Sequence, residues 1–397
     1  MSPARARGRV TALLLAAAGL CVLGVLLAVV VALPGPAAAA AGGSSPRAAQ
    51  LTAAIKRTMR RESIPGAIIG VWQRGRAPYV RAFGVRDKAT GQPMTTNLRM
   101  RIASITKTFV GTALLELVDK GEVRLDAPIS KYVAGVPHGN EITIRELAEN
   151  RSGLFDYFSN KAFLRVWLTH PRREWTPRQL LAYSFSKPLL FSPGTDYDYS
   201  NTNFILLGLV VQRASHQPLA TYIKQHVLEP EHLTHTSFPP GAVFPVPHAQ
   251  GYTNETVRCY FDHACKKIIN ATSWYNVGWA SAAMVSTLGD LHHWARDVAT
   301  GKLLTPAAQR QRTRFIPIPG VRHAAYGLAL DKNHGWIGHS GAAAGYLSLS
   351  VYLPSQKATV VVLINSNVND TSLLSLAKAI TKIITPKHVY DIVPTTP

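Results

Sequence analysis

The amino-acid sequence predicts an α+β fold: an antiparallel sheet flanked by N- and C-terminal helices, with a mostly helical region inserted between its two halves. Three observations predict it. Strand-like segments stand near both ends of the globular part, at residues 66–84 and 326–365. Between them the apolar residues recur at three-to-four spacing, which is the period of helices. A helical pattern also lies outside each strand group, so the two halves of the sheet join late in the chain.

Taken in order, Ala48 to Arg61 reads as an amphipathic helix that Ile64-Pro65 ends. Gly66 to Trp72 and Tyr79 to Gly84, parted by Arg74-Gly75-Arg76-Ala77-Pro78, read as a hairpin. The stretch from Arg101 to Gly121 is a helix buried over most of its surface, because Phe109, Ala113, Leu117 and Val110, Leu114, Val118 form two adjoining apolar rows; Gly121 ends it. Further helices are expected at residues 144–150, 176–184, 203–213, 219–226 and 288–300, with long loops between them. Tyr326 to Leu330, Tyr346 to Leu353 and Ala358 to Asn365 read as strands, and Leu373 to Ile384 as a closing helix. No repeat or low-complexity tract follows residue 45.

The expected organisation is a signal peptide or membrane anchor over residues 1–41, a linker over 42–47, one globular domain over 48–390 and a tail over 391–397. Arg5, Arg7 and Arg9 precede an uncharged run from Val10 to Leu33, then Pro34-Gly35-Pro36 and an alanine tract offering Ala-x-Ala cleavage sites. The run is long enough to span a bilayer, so a cleaved signal and an uncleaved anchor stay open. Both place the domain outside the cytoplasm, the anchor then being its contact with the membrane. Cys21 lacks a small residue just before it, which argues against lipid modification.

The 397-residue chain is 47% hydrophobic, enough for a large core, and disorder is excluded. Its net charge of +21 comes from 43 Lys and Arg against 22 Asp and Glu, scattered along the chain. Without a clustered basic stripe, a nucleic-acid partner is not expected. Outside a cell the charge favours an anionic envelope or acidic substrates. Cys259 and Cys265 form an even pair, and a disulfide closing their short loop is expected, with a metal site involving His263 as the alternative. His292 and His293 are adjacent and point apart on a helix, against joint coordination. No motif calls for a metal or an organic cofactor.

Three constellations carry chemistry. Ser104 and Lys107 place a hydroxyl and an amine on one face at a helix start, where the unpaired N–H groups favour negative charge. A buried lysine with a lowered pKa can act as base for that serine, although an N-cap serine with a first-turn lysine is the plain alternative. Tyr199-Ser200-Asn201 lies in a loop before an apolar helix, where it could also be loop and capping chemistry. Gly338-His339-Ser340-Gly341-Ala342 precedes Gly345-Tyr346 and an alternating strand; its glycines are turn punctuation or leave room for a substrate beside the backbone.

Together these resemble the Ser-x-x-Lys, Tyr-x-Asn and (His/Lys)-x-Gly pattern of the serine β-lactamase and penicillin-binding-protein superfamily, and most closely its class C β-lactamase and D-alanyl-D-alanine carboxypeptidase family. Asn150-Arg151-Ser152-Gly153-Leu154 resembles that family's His-Thr-Ser-Gly-Leu turn, and residues 278–291 its Gly-rich segment; the likeness covers roughly residues 50–385. The resemblance implies that Ser104 attacks a carbonyl, Lys107 and Tyr199 manage its proton, and Asn201 holds the Lys107 amine or the substrate amide. The backbone N–H groups of Ser104 and Ala342 would form an oxyanion hole on the strand carrying His339, with Ser340 and Gly341 bordering the substrate. It implies an exported serine hydrolase forming an acyl-enzyme on Ser104, first a D-alanyl-D-alanine carboxypeptidase acting on cell-wall peptides, with an enzyme for small esters, D-amino-acid amides or β-lactams as the near alternative; a non-catalytic penicillin-binding-like binding or sensing protein is the alternative class.

The chain departs from the family in three places. His339 stands where class C enzymes usually carry lysine, which favours a peptidase or another hydrolase over an efficient β-lactamase and adds a group expected to titrate near neutrality, so that activity would fall as pH drops through its pKa. Lys332 stands where family peptidases use a basic residue to bind the substrate carboxylate. Asn150-Arg151 replaces His-Thr in the turn.

Overall fold

The computed structural model describes residues 45–394. Helix α1 (Pro46–Arg61) opens the fold, capped by the Ser45 hydroxyl, which accepts from the Ala48 N–H. The hairpin follows as β1 (Gly66–Gln73) and β2 (Tyr79–Gly84). The remaining strands of the sheet come late: β3 (Ile316–Pro317), β4 (Ala324–Tyr326), β5 (Asp331–Asn333), β6 (Trp336–Ala343), β7 (Tyr346–Leu353) and β8 (Ala358–Ile364). All pairings are antiparallel, in the order β2-β1-β8-β7-β6-β5-β4-β3. The first strand therefore pairs with the last long one, Ala67 opposite Ile364.

Side chains alternate across the sheet and both faces are covered. Ala67, Ile69 and Val71 pack with Val360 and Val362 under α1 and the closing helix α5 (Ser372–Ile384), which contribute Leu51, Ile55, Leu376 and Ile380. On the opposite face Ile68, Val361 and Leu363 join the core shared with α2 (Thr106–Asp119), α3 (Asn201–Ser215) and α4 (Leu288–Thr300). Burial on both faces is why β1 and β8 read as apolar runs without alternation.

Helix α2 runs through this second core. Its Phe109 ring stacks on Trp294 at 4.2 Å between centroids, and the Trp294 indole donates to the Thr108 hydroxyl. Buried Arg312 donates to the Thr108 carbonyl and the Thr112 hydroxyl. Gly111 lets the segment after β4 come close: a Cβ there would lie 2.4 Å from that of Ala329.

That segment departs from expectation. Tyr326 to Leu330 is apolar enough for a strand, but β4 stops at Tyr326 and Ala329 takes a left-handed φ of 57°. The Ala329 N–H donates to the Ala148 carbonyl, so the run is buried by packing on α2 and not by a ladder. Such short apolar runs do not reveal their backbone. The β5–β6 hairpin shows no strand periodicity for the converse reason, since Gly338, Ser340 and Gly341 interrupt its apolar pattern; the resemblance alone implies the strand carrying His339. Helices at Lys161–Thr169, Val257–Asp262 and Pro306–Arg312 were also not anticipated.

Both expected boundaries of the domain move outward. Pro46 and Arg47, read as linker, form the first turn of α1. The expected tail from residue 391 is held as far as Pro394: Asp391 pairs with His334 and Lys378, and Val393–Pro394 pairs with Val321–Arg322. Cys259 and Cys265 form a disulfide. The expected signal or anchor segment lies outside the described residues, and among the described residues no helix is long and apolar enough to cross a membrane.

Candidate active site

The site begins where the chain enters α2. Met100–Arg101 pairs with Val285–Ser286, and the Ile102 N–H donates to the Met284 carbonyl. A single 3₁₀ turn, Ala103–Ile105, then leads into the helix. Buried Ala103 takes a φ of 46°, a left-handed conformation that costs a non-glycine residue about 1 kcal/mol. This bend sets Ser104 at the mouth of a cavity of about 670 Å³.

Lys107 comes round on the same face and is fully buried. Its Nζ lies 3.0 Å from Ser104 Oγ, 2.8 Å from Asn201 Oδ1 and 3.0 Å from the Ser281 carbonyl oxygen. Burial lowers the pKa of the amine to about 7, against the charge of Asp156, which raises it. Two of the three neighbours can only accept. A neutral amine therefore gives its two protons to Asn201 and Ser281 and turns its lone pair to the Ser104 hydroxyl. That is the hydrogen bonding of a general base.

Asn201, the first residue of α3, is fixed by Asp156. The Asp156 carboxylate accepts from Asn201 Nδ2 at 3.0 Å and from the Asn201 N–H, so Oδ1 must face Lys107. Burial raises the Asp156 carboxyl to about 6, against hydrogen bonds from Phe158 and Asn201 and the nearby Lys107. Tyr199, two residues before Asn201, lies beneath the amine, with Nζ 4.8 Å from its ring centroid. Burial drives its phenol well above the ordinary range, against the Ser104 side chain that neighbours it. The phenol thus keeps its proton and can donate it.

Strand β6 forms the other wall. β5 pairs with it only over Trp336–Gly338, which leaves one edge of β6 open from His339 onward. Backbone groups of successive residues face opposite edges. The Ser340 N–H faces the open edge, near the Asp331 carboxyl whose pKa it lowers, so the N–H of Ala342 faces it too. A Cβ on Gly341 would lie 2.4 Å from the Ile102 carbonyl oxygen and 2.9 Å from the Ser104 nitrogen. Only glycine lets the two backbones approach this closely, and the approach brings the N–H groups of Ser104 and Ala342 to one mouth. Ser340 and Gly341 line it.

Two expectations need correction. His339 is buried, its Nδ1 against the Ser340 carbonyl and its Nε2 3.1 Å from the Tyr326 hydroxyl. A carbonyl only accepts, so Nδ1 carries the proton and Nε2 accepts from Tyr326. Burial, reinforced by Lys107, lowers its pKa to about 3, so it is no neutral-range switch. Lys332 does not reach the cavity: its amine lies 5.5 Å from the Phe315 ring centroid. Pleating puts Asp331 inward in its stead, and burial raises that carboxyl to about 7. Arg151 also faces away, its guanidinium bound to the Gly194 carbonyl and near Glu149.

Asp156, Ser281, Tyr326 and Asp331 were missed by sequence reasoning. Asp156 carried one weak signal, an acid two residues past Leu154 of the Ser-Gly-Leu turn and before an aromatic pair. Ser281 acts through its carbonyl, which no side-chain pattern reports.

A lysine bonded to a serine at a helix start, facing an open edge of an antiparallel sheet, is the arrangement of the β-lactamase and penicillin-binding-protein type. The chain belongs to the Beta-lactamase family, which it matches over residues 51–383. It is similar to the solved D-stereospecific amidohydrolase from Streptomyces sp., at 26% identity and a TM-score of 0.73 over 84% of this chain and 98% of that one. It shares its fold with a penicillin-binding protein from Bacillus halodurans, at 21% identity and a TM-score of 0.68 over 81% and 97% of the two chains. Protein flp from Staphylococcus aureus (strain COL) is 26% identical over 330 residues, 80% of this chain; the match spans 63% of that relative, less than two thirds of its length. Esterase EstB from Burkholderia gladioli is 33% identical over 194 residues, 46% of this chain and 49% of the esterase.

Proposed function

We propose that the protein cleaves amides or esters of D-amino-acid type through an acyl-enzyme on Ser104, on the outer side of the cell membrane. The observation that carries this is the Lys107 amine, 3.0 Å from Ser104 Oγ and otherwise bonded to oxygens that can only accept. Ser104 Oγ attacks the carbonyl carbon as its proton passes to Lys107. The N–H groups of Ser104 and Ala342 hold the oxyanion that forms, a contribution of about 10²- to 10³-fold per donor. As the tetrahedral centre collapses, Tyr199 passes its proton to the leaving nitrogen or oxygen and takes up the one held by Lys107, so that both groups return to their starting state. Water or an amine then releases the acyl group by the reverse steps.

The relatives support this substrate class, a D-stereospecific amidohydrolase and an esterase among them. A D-alanyl-D-alanine carboxypeptidase is the finer reading implied by the three motifs, but it needs a cation for the free carboxylate. Lys332 is outside the cavity, and Arg101 gives its guanidinium to the carbonyls of Thr272 and Trp274. This favours leaving groups without a carboxylate. Export rests on the arginines and apolar run of residues 1–41, whether cleaved or kept as an anchor.

Incubation with a fluorescent penicillin, followed by intact mass, tests the acyl-enzyme. A lasting adduct on the wild type and none on Ser104→Ala is expected; fast turnover marks a β-lactamase. Release of D-alanine from a D-alanyl-D-alanine peptide, outpacing every amide and ester, would restore the carboxypeptidase. No adduct and no Ser104-dependent turnover of any substrate would leave a binding protein.

A further inference from the structure

The open edge of β6 sets the direction of a bound substrate. The carbonyl under attack sits at the N–H groups of Ser104 and Ala342. Tyr199, whose phenol serves the leaving atom, has its ring centroid 6.2 Å from that of His339 and 6.3 Å from that of Tyr326. His339 and Ser340 precede Ala342 on the strand, so the leaving group runs back along β6 toward Ser340, about 7 Å away at the rise of an extended chain. The group that meets it there is the Asp331 carboxyl, which lines the cavity.

Asp331 is fixed by the sheet. It stands opposite Tyr326 on β4 and Gly338 on β6, and its carboxyl lies beside the Ser340 N–H. Tyr197, Tyr199 and Tyr326, whose phenols burial already drives upward, all feel its charge, so it faces the same end of the cavity as they do. Its ion-pair partner among the described residues is His339, Nδ1 to Oδ2 at 3.9 Å, and that ring is neutral above its pKa of about 3. Burial raises the Asp331 carboxyl to about 7, against the Ser340 N–H. A second carboxylate beside it would add like-charge repulsion in a poorly solvated cavity, whereas an ammonium would offset its burial. Ile318, just past β3, and Ile392, next to the Asp391 carbonyl that accepts from Asn333 of β5, line the cavity too and suit a short methylene chain.

We infer that Asp331 determines specificity on the leaving-group side, admitting amides and esters whose leaving group ends in an ammonium and turning away those that end in a carboxylate. This deepens the acyl-enzyme reading and rests on it for the direction of the substrate. At one position it inverts the charge rule of a carboxypeptidase.

Three amides of N-acetyl-D-alanine test it with the full chain: the glycine peptide, its glycinamide and the 2-aminoethylamide, which end in a carboxylate, a neutral amide and an ammonium. Assays run above pH 7, where Asp331 is ionised. In kcat/KM the wild type should favour the 2-aminoethylamide over the glycine peptide about 10- to 100-fold, with the glycinamide between them. Asp331→Asn keeps an oxygen beside the Ser340 N–H and should lower that ratio at least about tenfold, mainly through KM. Each rate is taken relative to the glycinamide, so a general loss of activity leaves the ratio unmoved. Asp331→Ser makes the same comparison should Asp331→Asn unfold. In parallel, calorimetric binding to Ser104→Ala should favour the 2-aminoethylamide, and adding Asp331→Asn should abolish that preference. A wild type that cleaves the glycine peptide as well as the 2-aminoethylamide, or a ratio unchanged by the substitutions, would overturn the role of Asp331. A binding preference that depends on Asp331 without any Ser104-dependent hydrolysis would overturn the acyl-enzyme reading and leave the charge selection standing.

Discussion

Lys107 is useful only because it is buried. In water its amine would be charged at neutral pH; here the pKa is about 7, so the base form gains population as pH rises through that value. Acylation of Ser104 should therefore increase with pH around 7, and His339, held at about 3, should add no step near neutrality. A stopped-flow pH profile of penicillin labelling checks both. Asp156 raises the lysine pKa through its charge, so Asp156→Asn should move the ascending limb to lower pH. It should also slow labelling about 10- to 100-fold, because the Asn201 amide loses the partner that orients it. Lys107→Ala, which removes the base, should cost about 10²- to 10⁴-fold in acylation rate. Ser104, Lys107, Tyr199 and Asn201 were legible in the sequence because each belongs to a short run of fixed spacing. The state of His339 was not, since it is set by Tyr326 and by burial that only the assembled sheet provides.

At the level of elements, β5 and β6 decide what the cavity contains. Whether Asp331 or Lys332 enters depends on the parity of one short strand, and a three-residue strand offers no periodicity from which to read it. The contact of β6 with the Ser104 turn is tighter still. Gly341→Ala would push a methyl against the Ile102 carbonyl and the Ser104 nitrogen, both backbone atoms. Expected is a loss of about 10²-fold in kcat from the displaced oxyanion donor, with the fold kept. Steady-state kinetics alongside thermal unfolding would distinguish this from general destabilisation. The Cys259–Cys265 loop borders the cavity through Tyr260. Its short span means that Cys259→Ser with Cys265→Ser should remove about 2 kcal/mol at most, read as a modest fall in Tm.

For the molecule as a whole, the helices and strands with long apolar periods were legible, and the architecture followed from their order along the chain. Hidden were the pieces that exist only through tertiary contact, such as the Leu328–Leu330 segment against α2. Because α1 and α5 cover the same face, a chain ending at Asn365 should fail to fold: Ile69, Val71, Val360 and Val362 would lie open. Expression of that truncation as insoluble protein, against a soluble chain ending at Pro394, is the expected result. Even one such core change, Ile69→Ala, should cost about 2–5 kcal/mol in denaturant unfolding.

The pairing of Ala67 with Ile364 has a consequence for how the protein is made. A ribosome delivers the first hairpin long before its partner strand, so β1 must wait with a bare edge while nearly the whole domain is synthesised. Such a distant closure slows folding and leaves the growing polypeptide in need of something to shield that edge.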